Sequence, residues 1–396
     1  MKYDFTTKVD RRGQGASKWL KMKNLKPDVT PGVVPFSVAD MELKNAPEIL
    51  AGIKAYLDEC ILGYTIANQS FHEAVTSWMK RRHNWDVDPQ WIVNTPGIVA
   101  ALFTAVRAYT QPGDGVIIFK PVYYPFMNAI KGNKAVEVNV PMIEKDLYYT
   151  IDYEGFEKAA ADPNNKMLIF CSPHNPVGRV WTEEELKKVG AIAKKHNLIV
   201  VADEIWHDLI MPGYKHTVFL NACPDMADLS VICTAPSKTF NLAGMGTSNI
   251  MIPNPELRKQ YQDAWQSARG GSVGPLGYKA CETAYNQCEG WLEELLLLLD
   301  HNQKEVKKYF NENFPKLSCP LIEGTYLQWI DFRPLGMNDE ELEDMNVNKA
   351  EIFTDEGYLF GTEGSGFERI NLAAPTEVLM EGMHRWGEVI KKVYKD

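Results

Sequence analysis

The stretch Leu229-Ser230-Val231-Ile232-Cys233-Thr234-Ala235-Pro236-Ser237-Lys238 runs from an apolar segment into a turn that carries a lysine. The apolar segment predicts a buried strand, and the small residues at 242–246 let a ligand approach the backbone closely. Lysine resists burial unless it is paired or covalently used. Lys238 is therefore a candidate nucleophile, and the alternative is a surface lysine at the end of a strand.

This stretch is one unit of a repeated strand–helix pattern. The predicted strands are apolar without alternation, and helices separate them, which predicts a mostly parallel sheet covered on both faces. The fold class is therefore α/β, a three-layer sandwich with a mostly parallel central sheet. The strands are predicted at 91–93, 115–119, 166–171, 198–202, 229–233 and 248–252, and the helices at 47–60, 71–84, 98–109, 182–197 and 255–268.

The last part of the chain has a different pattern and predicts a smaller α+β domain. A long helical region is expected at 277–313, with a bend at Gly290. Two alternating segments predict half-buried strands at 327–332 and 367–372, and a helix is predicted from Glu377 to Lys395. We expect three parts: an N-terminal segment 1–48 that joins the small domain, a large cofactor-binding domain 49–288 and a C-terminal small domain 289–396.

Composition narrows the classes of function. The chain has 396 residues, 45% of them hydrophobic, and a net charge of −10, which disfavours nucleic acid and anionic membranes as partners. The seven cysteines form no Cys-x-x-Cys pair, so neither a disulfide framework nor a metal site is predicted. No apolar signal core or membrane-spanning run is present, and a cytoplasmic location is expected.

Chemically useful residues follow the predicted strands. Ligands of parallel α/β sheets bind beyond the carboxyl ends of the strands, so these residues are expected to meet there. They are Gly97, Tyr123, Asn175, Asp203 and Lys238.

This set has the groups that pyridoxal 5'-phosphate requires, beginning with a lysine for covalent attachment. Asp203 can keep the pyridine nitrogen protonated, and its alternative role is a helix cap. Asn175 can donate to the ring oxygen, although an asparagine before proline is also typical of a turn. Tyr123 can stack on the ring, or it is a core tyrosine.

Two further groups complete the requirement. The helix start at Gly97-Ile98-Val99 offers free N–H groups to a phosphate, and Ser237 adds a hydroxyl. Arg369 can bind a substrate carboxylate through two hydrogen bonds. Its alternative is a surface ion pair with Glu368.

Taken together, these motifs resemble the fold-type I pyridoxal phosphate enzymes of the aspartate aminotransferase superfamily, and most of all the cystathionine β-lyase/cystalysin branch of C–S lyases. The resemblance covers nearly the whole chain. The matching motifs are Tyr3-Asp4-Phe5, Lys18-Trp19, Ser37-Val38-Ala39-Asp40-Met41, Gly63-Tyr64-Thr65, Pro121-Val122-Tyr123-Tyr124-Pro125, Ser172-Pro173-His174-Asn175-Pro176-Val177-Gly178, Asp203-Glu204-Ile205, Ala235-Pro236-Ser237-Lys238-Thr239-Phe240, Glu323-Gly324-Thr325-Tyr326 and Arg369-Ile370-Asn371-Leu372-Ala373-Ala374.

The resemblance implies a role for each residue and a homodimer with active sites at the interface. Lys238 is expected to carry the cofactor, Asp203 to pair with its pyridinium and Tyr123 to stack on it. Arg369 is expected to hold the substrate carboxylate, with Asn175 and Ala39 beside it. The other expected cofactor contacts are Gly97, Ile98, Val99, Asn175, Trp206, Ser237 and, from the partner subunit, Tyr64.

The implied reaction is α,β-elimination from a cysteine-type amino acid such as cystathionine, cysteine or cystine. Lys238 is expected to take the α-proton, and Lys238 or Tyr124 to protonate the leaving thiolate, which yields pyruvate and ammonia. The main alternative is an aminotransferase, and a more remote one is a non-catalytic regulatory protein. Aminotransferases of the superfamily usually carry an arginine where this chain has Met245 and Gly246, which favours the lyase.

Three positions depart from the family pattern. Trp206 replaces the usual histidine or tyrosine, and an indole N–H can only donate a hydrogen bond. Leu20 stands where an aspartate is usual. The segment from Arg269 to Ser272 is also unlike the family, and it is expected to influence substrate choice.

Overall fold

Seven strands form the central sheet in the described residues, 2–394, of this computed structural model. Their spatial order is β1-β9-β8-β7-β6-β2-β3, and β9 alone among them runs antiparallel to its neighbours. The mostly parallel sheet confirms the predicted α/β class. The strands along the chain are β1 Ile92–Thr95, β2 Gly115–Ile118, β3 Val136–Asn139, β4 Ile143–Lys145, β5 Tyr148–Thr150, β6 Asn165–Cys171, β7 Ile199–Asp203, β8 Ser230–Thr234, β9 Ser248–Met251, β10 Leu327–Asp331, β11 Asp355–Glu356 and β12 Phe367–Asn371.

Helices cover this sheet and pack against one another as well. Thr182 begins one of them with the predicted capping box, in which its hydroxyl and Glu185 exchange hydrogen bonds with each other's main chain. The helices are α1 Ser17–Leu25, α2 Pro47–Glu59, α3 Gln69–His83, α4 Ile98–Tyr109, α5 Pro125–Gly132, α6 Tyr153–Ala160, α7 Glu183–Lys195, α8 Phe219–Ala222, α9 Pro236–Thr239, α10 Pro255–Ser267, α11 Pro275–Gln287, α12 Glu289–Asn313, α13 Asp339–Asp344 and α14 Thr376–Ile390.

Strands β10, β12 and β11 form a second, antiparallel sheet. The prediction that β10 and β12 are half-buried is wrong, because all residues of both strands are buried. Both faces of β10 are covered: the Gln328 amide donates to the carbonyl of Gln303 in α12 at 3.4 Å. On the opposite face the Trp329 indole donates to the Tyr149 hydroxyl at 3.3 Å.

Three predicted boundaries also differ from the structure. The region 277–313 is not one helix bent at Gly290 but two helices, α11 and α12, which separate at Cys288. The last helix ends at Ile390, and the predicted end at Lys395 lies outside the described residues. The hairpin β4–β5 and strand β3 had no predicted counterpart, because these segments are short and partly exposed.

The division of the chain at residues 48 and 288 stays a prediction. Between residues 2 and 394, no helix is both long enough and apolar enough to span a bilayer.

Candidate functional site

A cavity of about 230 Å³ lies at the C-terminal ends of β1, β6, β7 and β8. The parallel strands bring their ends to one edge, as the α/β architecture requires. Residues from six separate segments of the chain thus line one cavity. The predicted site residues that line it are Ala39, Gly97, Ile98, Val99, Tyr123, Asn175, Asp203, Trp206, Ser237 and Lys238.

Lys238 lies in the short helix α9 that follows β8, and its amine reaches into the cavity. Nζ donates a hydrogen bond to the carbonyl of Ala39 at 2.7 Å. Burial, together with the smaller effect of the positive charge of Arg369, lowers the pKa of Lys238 to about 8. A substantial fraction of the amine is therefore neutral near physiological pH, as a nucleophile or base must be.

Asp203 is the last residue of β7, and its carboxyl group is buried. The amide of Ile205 donates to Oδ1 at 3.2 Å. Burial nevertheless raises the pKa of Asp203 to about 7. A cationic ring nitrogen placed against this carboxylate would hold it ionised, so the site fits a protonated pyridine.

Arg369, in β12, is 2% exposed and contacts Asn175, which lines the cavity. Nη1 donates to Asn175 Oδ1 at 2.8 Å, and Nη2 donates to Asp355 Oδ2. Nε has no hydrogen-bond partner in the part of the chain that the structure describes. The guanidinium therefore retains an unused donor for an incoming anion.

The alternative in which Arg369 forms a surface ion pair with Glu368 is wrong. Successive residues of a strand point to opposite faces of the sheet, so the two side chains diverge. The Glu368 carboxyl accepts a hydrogen bond from the Thr354 hydroxyl at 2.5 Å. Burial raises the pKa of Glu368 well above its usual value.

Four aromatic side chains were predicted at the site, and one of them, Tyr64, was expected to come from the partner subunit. Tyr123 lines the cavity, and burial raises its pKa. The ring of Tyr124 lies 5.4 Å from that of Tyr123 and is partly exposed, but Tyr124 does not line the cavity. Trp206 is buried with its ring 5.5 Å from Lys238 Nζ, and its Nε1 has no hydrogen-bond partner within residues 2–394.

The start of α4 forms a cradle suited to a phosphate. Gly97 precedes it with φ +119°, a conformation that favours glycine. The first intrahelical bond joins the Ala101 amide to the Gly97 carbonyl, so the amides of Ile98 and Val99 are free of the helix ladder. Such amides, together with the Ser237 hydroxyl across the cavity, provide the donors that a phosphate needs.

Other predicted residues lie away from the cavity of this single chain. Tyr64 is fully exposed in an irregular segment, and Leu20 is half exposed. Arg269 has a left-handed backbone with φ +51° after α10, and it does not line the cavity.

Sequence reasoning assigned no role to four residues beside the site. Asp355 bonds Arg369, and the Tyr326 hydroxyl donates to the Ala39 carbonyl at 2.8 Å. Cys171 and Thr247 line the cavity. The motif Glu323-Gly324-Thr325-Tyr326 pointed to Tyr326, whereas no sequence pattern marks Asp355.

This chain belongs to the aminotransferase class I and II family, whose pattern its residues 43–384 match. It is 37% identical over 382 residues to the cystathionine beta-lyase PatB of Bacillus subtilis (strain 168), covering 96% of this chain and 98% of that protein.

Two solved structures extend the comparison. Cystalysin from Treponema denticola, which contains a pyridoxal 5'-phosphate cofactor, has a TM-score of 0.98 and 52% identity, covering 99% of this chain and 100% of that one. The pyridoxal phosphate-bound C–S lyase from Staphylococcus hominis has a TM-score of 0.92 and 31% identity, with 98% of each chain covered. These likenesses confirm the predicted family and fold.

Proposed function

We propose that this chain is a pyridoxal phosphate-dependent C–S lyase. It acts on amino acids that carry sulfur at the β-carbon and releases pyruvate, ammonia and a thiol. The observation that carries this proposal is the Lys238 amine, which lies in one cavity with Asp203 and next to Arg369. The similarity to cystathionine beta-lyase PatB and to cystalysin supports the same conclusion.

The residues of the cavity fit the cofactor. Lys238 would bind it covalently, Asp203 would bind its ring nitrogen, and Asn175 and Trp206 would donate to its ring oxygen. The amides at the start of α4 and the Ser237 hydroxyl would hold its phosphate. When bound, pyridoxal phosphate withdraws electrons from the substrate carbon that bears the amine, which makes the proton on that carbon acidic.

The side chains of the protein bind the substrate and transfer the protons. Arg369 binds the substrate carboxylate and so fixes the direction of the α C–H bond. The substrate amine would replace Lys238 on the cofactor, and the freed, neutral amine of Lys238 then takes the α-proton on Nζ. Lys238 or Tyr124 then delivers a proton to the sulfur that leaves the β-carbon.

The main alternative, an aminotransferase, has less support. Met245 and Gly246 follow Lys238 where aminotransferases of this superfamily usually carry an arginine. Gly246 lines the cavity, but no arginine does within the described residues. A phosphate here thus relies on main-chain amides and hydroxyls.

A homodimer and a cytoplasmic location are part of the proposal. Tyr64 would reach the cavity of a second copy. Its segment exposes a set of apolar side chains that suits burial at an interface. These are Ile61, Leu62, Tyr64 and Ile66.

One experiment tests the lyase against its alternatives. The purified holoenzyme is incubated with cystathionine, cysteine or cystine, with and without a keto acid. The lyase yields pyruvate and ammonia without a keto acid. Product formation only with a keto acid would establish an aminotransferase, and bound cofactor without any product would establish a binding protein. Lys238→Ala should lose the activity, and the surface variant Lys308→Ala should keep it.

A further inference from the structure

Two β-branched residues with left-handed backbones, Val38 and Thr325, directly precede residues of the hydrogen-bonded cluster around the Lys238 amine. φ is +55° at Val38 and +73° at Thr325, a region that β-branched residues rarely occupy. Val38 precedes Ala39, and Thr325 precedes Tyr326. The Ala39 carbonyl accepts hydrogen bonds from Lys238 Nζ at 2.7 Å and from the Tyr326 hydroxyl at 2.8 Å. Strain of this kind persists only where the surroundings impose it, and it concentrates at functional sites.

The main chain of segment 37–40, called the strap below, is bonded by the side chains of Asn371, Lys18 and Asp355, besides the bonds of Lys238 and Tyr326 to the Ala39 carbonyl. The Asn371 amide donates to the carbonyls of Val38 at 2.8 Å and Asp40 at 2.7 Å. The buried Lys18 amine also donates to the Asp40 carbonyl, at 2.8 Å. The third contact is the amide of Val38, which donates to Asp355 Oδ2 at 2.8 Å.

Asp355 therefore holds two different groups with the same oxygen. It lies directly opposite Arg369 in the β11–β12 pair, and Oδ2 accepts from both Arg369 Nη2 and the Val38 amide. Its side chain is almost fully buried, so the guanidinium and the strap share a carboxylate that water hardly reaches.

We propose that Asp355 is a positioning residue that couples the carboxylate anchor Arg369 to the Lys238 amine through the strap. A carboxylate that binds Arg369 shares the guanidinium with Asp355 and weakens the Arg369–Asp355 bond. Asp355 then binds the Val38 amide more strongly, and the Ala39 carbonyl shifts against Lys238 Nζ. The proposal rests on the proposed function in one respect, namely that Arg369 is the carboxylate anchor.

Coupling of this kind is reciprocal. Binding of a carboxylate at Arg369 should therefore change the reactivity of the Lys238 amine, which can be measured. The test uses the full chain without its cofactor, the form in which the Lys238 amine is free, and propionate as the carboxylate probe. Methyl acetimidate modifies amines without releasing a carboxylate, and mass spectrometry reports its rate at the Lys238 peptide. We expect saturating propionate to change this rate about fivefold or more in the unchanged protein.

Two variants distinguish movement of the strap from a direct electrostatic effect of the bound carboxylate on Lys238. Asp355→Asn should lose the response of the modification rate to propionate. Its dissociation constant for propionate should also change, because Asp355 bonds the guanidinium that binds the probe. Val38→Gly changes no charge and keeps the main-chain groups that bond Asp355 and Asn371. Glycine lets the backbone rotate more freely at position 38, so a shift of the position-38 amide is passed on less fully to the Ala39 carbonyl. We expect it to bind propionate normally in a calorimetric titration, with a response reduced to about twofold or less.

Glu356→Gln is the matched control. Glu356 follows Asp355 in the same strand and is also buried, but its side chain contacts neither Arg369 nor the strap. This variant should keep the full response, and thermal melts would verify that all variants fold. If propionate changes the modification rate of Lys238 in Val38→Gly as much as in the unchanged protein, the proposal is wrong and the effect comes from charge acting through space. If propionate leaves the rate unchanged in the unchanged protein, the two groups are not coupled and the proposal is wrong. Either result is independent of whether the holoenzyme releases pyruvate.

Discussion

The amine of Lys238 donates a hydrogen bond to the carbonyl of Ala39 at 2.7 Å, across 199 positions of sequence. The carbonyl can only accept, so it orients the amine without supplying a proton. The same amine lies above the ring of Trp206 and within the electrostatic influence of Asp203, Asp40 and Arg369. The ionisation of Lys238 is thus the property on which the chemistry of the site depends most directly.

The rate of elimination should rise with pH and level off above the pKa of Lys238. Burial lowers that pKa to about 8, and only the neutral amine can take the α-proton. The amine is free again only after substrate has bound, so the relevant quantity is kcat, which reports the enzyme–substrate complex. We expect kcat for cystathionine to increase about tenfold per pH unit below this value and then reach a plateau, and a pH profile of kcat checks the expectation. A rate that falls as the pH rises toward 8 would contradict the role of Lys238 as the base.

Asp203→Asn should stabilise the cofactor-free protein at alkaline pH. Burial raises the pKa of Asp203 to about 7, so the carboxyl binds its proton more tightly in the folded state than in the unfolded chain. Its favourable contribution is complete below about pH 4 and is lost as the pH rises through its folded pKa. The variant should therefore melt several degrees above the unchanged protein at about pH 8 and show no such advantage at about pH 4.

The exposed Asp28→Asn provides the control for this measurement, because its carboxylate is 82% exposed. Its melting temperature should differ from that of the unchanged protein by a similar amount at both pH values. A pH-independent effect of Asp203→Asn would show that burial does not control the carboxyl.

Trp206→Phe should weaken cofactor binding while keeping an aromatic face under the lysine. The Trp206 ring packs edge-on against Tyr326 with centroids 4.8 Å apart, and phenylalanine can preserve such packing. The lost indole N–H would cost about 1 kcal/mol of hydrogen bonding, so the dissociation constant should rise about fivefold. An absorbance titration of the apoprotein with the cofactor measures it.

Trp91→Phe is the matched control, since Trp91 precedes β1 at the end of the strand away from the cavity. Its cofactor affinity should not change. Equal affinities of Trp206→Phe and the unchanged protein would mean that the indole makes no bond to the cofactor.

Arg369→Lys should raise KM and also destabilise the fold. Lysine keeps the positive charge but cannot bond Asn175 and Asp355 in the fork geometry of arginine, so a buried partner loses its hydrogen bond. We expect KM to rise about tenfold or more and the free energy of unfolding to fall by about 1–3 kcal/mol. Steady-state kinetics and denaturant titrations measure these effects, and the exposed Arg12→Lys is the control. An unchanged KM would exclude Arg369 as the carboxylate anchor.

The central sheet was predictable from sequence because strands buried on both faces are continuously apolar, as in β6 and β8. The same rule failed for β10, whose alternation of polar and apolar residues suggested a half-buried strand. The amide of Gln328 and the indole of Trp329 find partners on opposite faces, and such satisfied polar groups can be buried.

The strand-end residues were predictable for a similar reason, since a parallel sheet brings the ends of its strands together. They lie around one cavity, while their individual roles stay predictions. Asp355 was not predictable, because its strand has two residues and its partners Arg369 and Val38 are distant in sequence. A contact of this kind depends on tertiary packing and leaves no local pattern.

The unequal burial of the cysteines has a practical consequence. All seven are free, and in the described chain Cys60 alone is not buried. Cys60 directly follows α2 and lies four positions before Tyr64, on the segment proposed to meet a second copy. A maleimide should therefore react at a single native position. Its reaction rate should fall when a second copy covers the segment, so the rate reports association of the copies without any engineered residue.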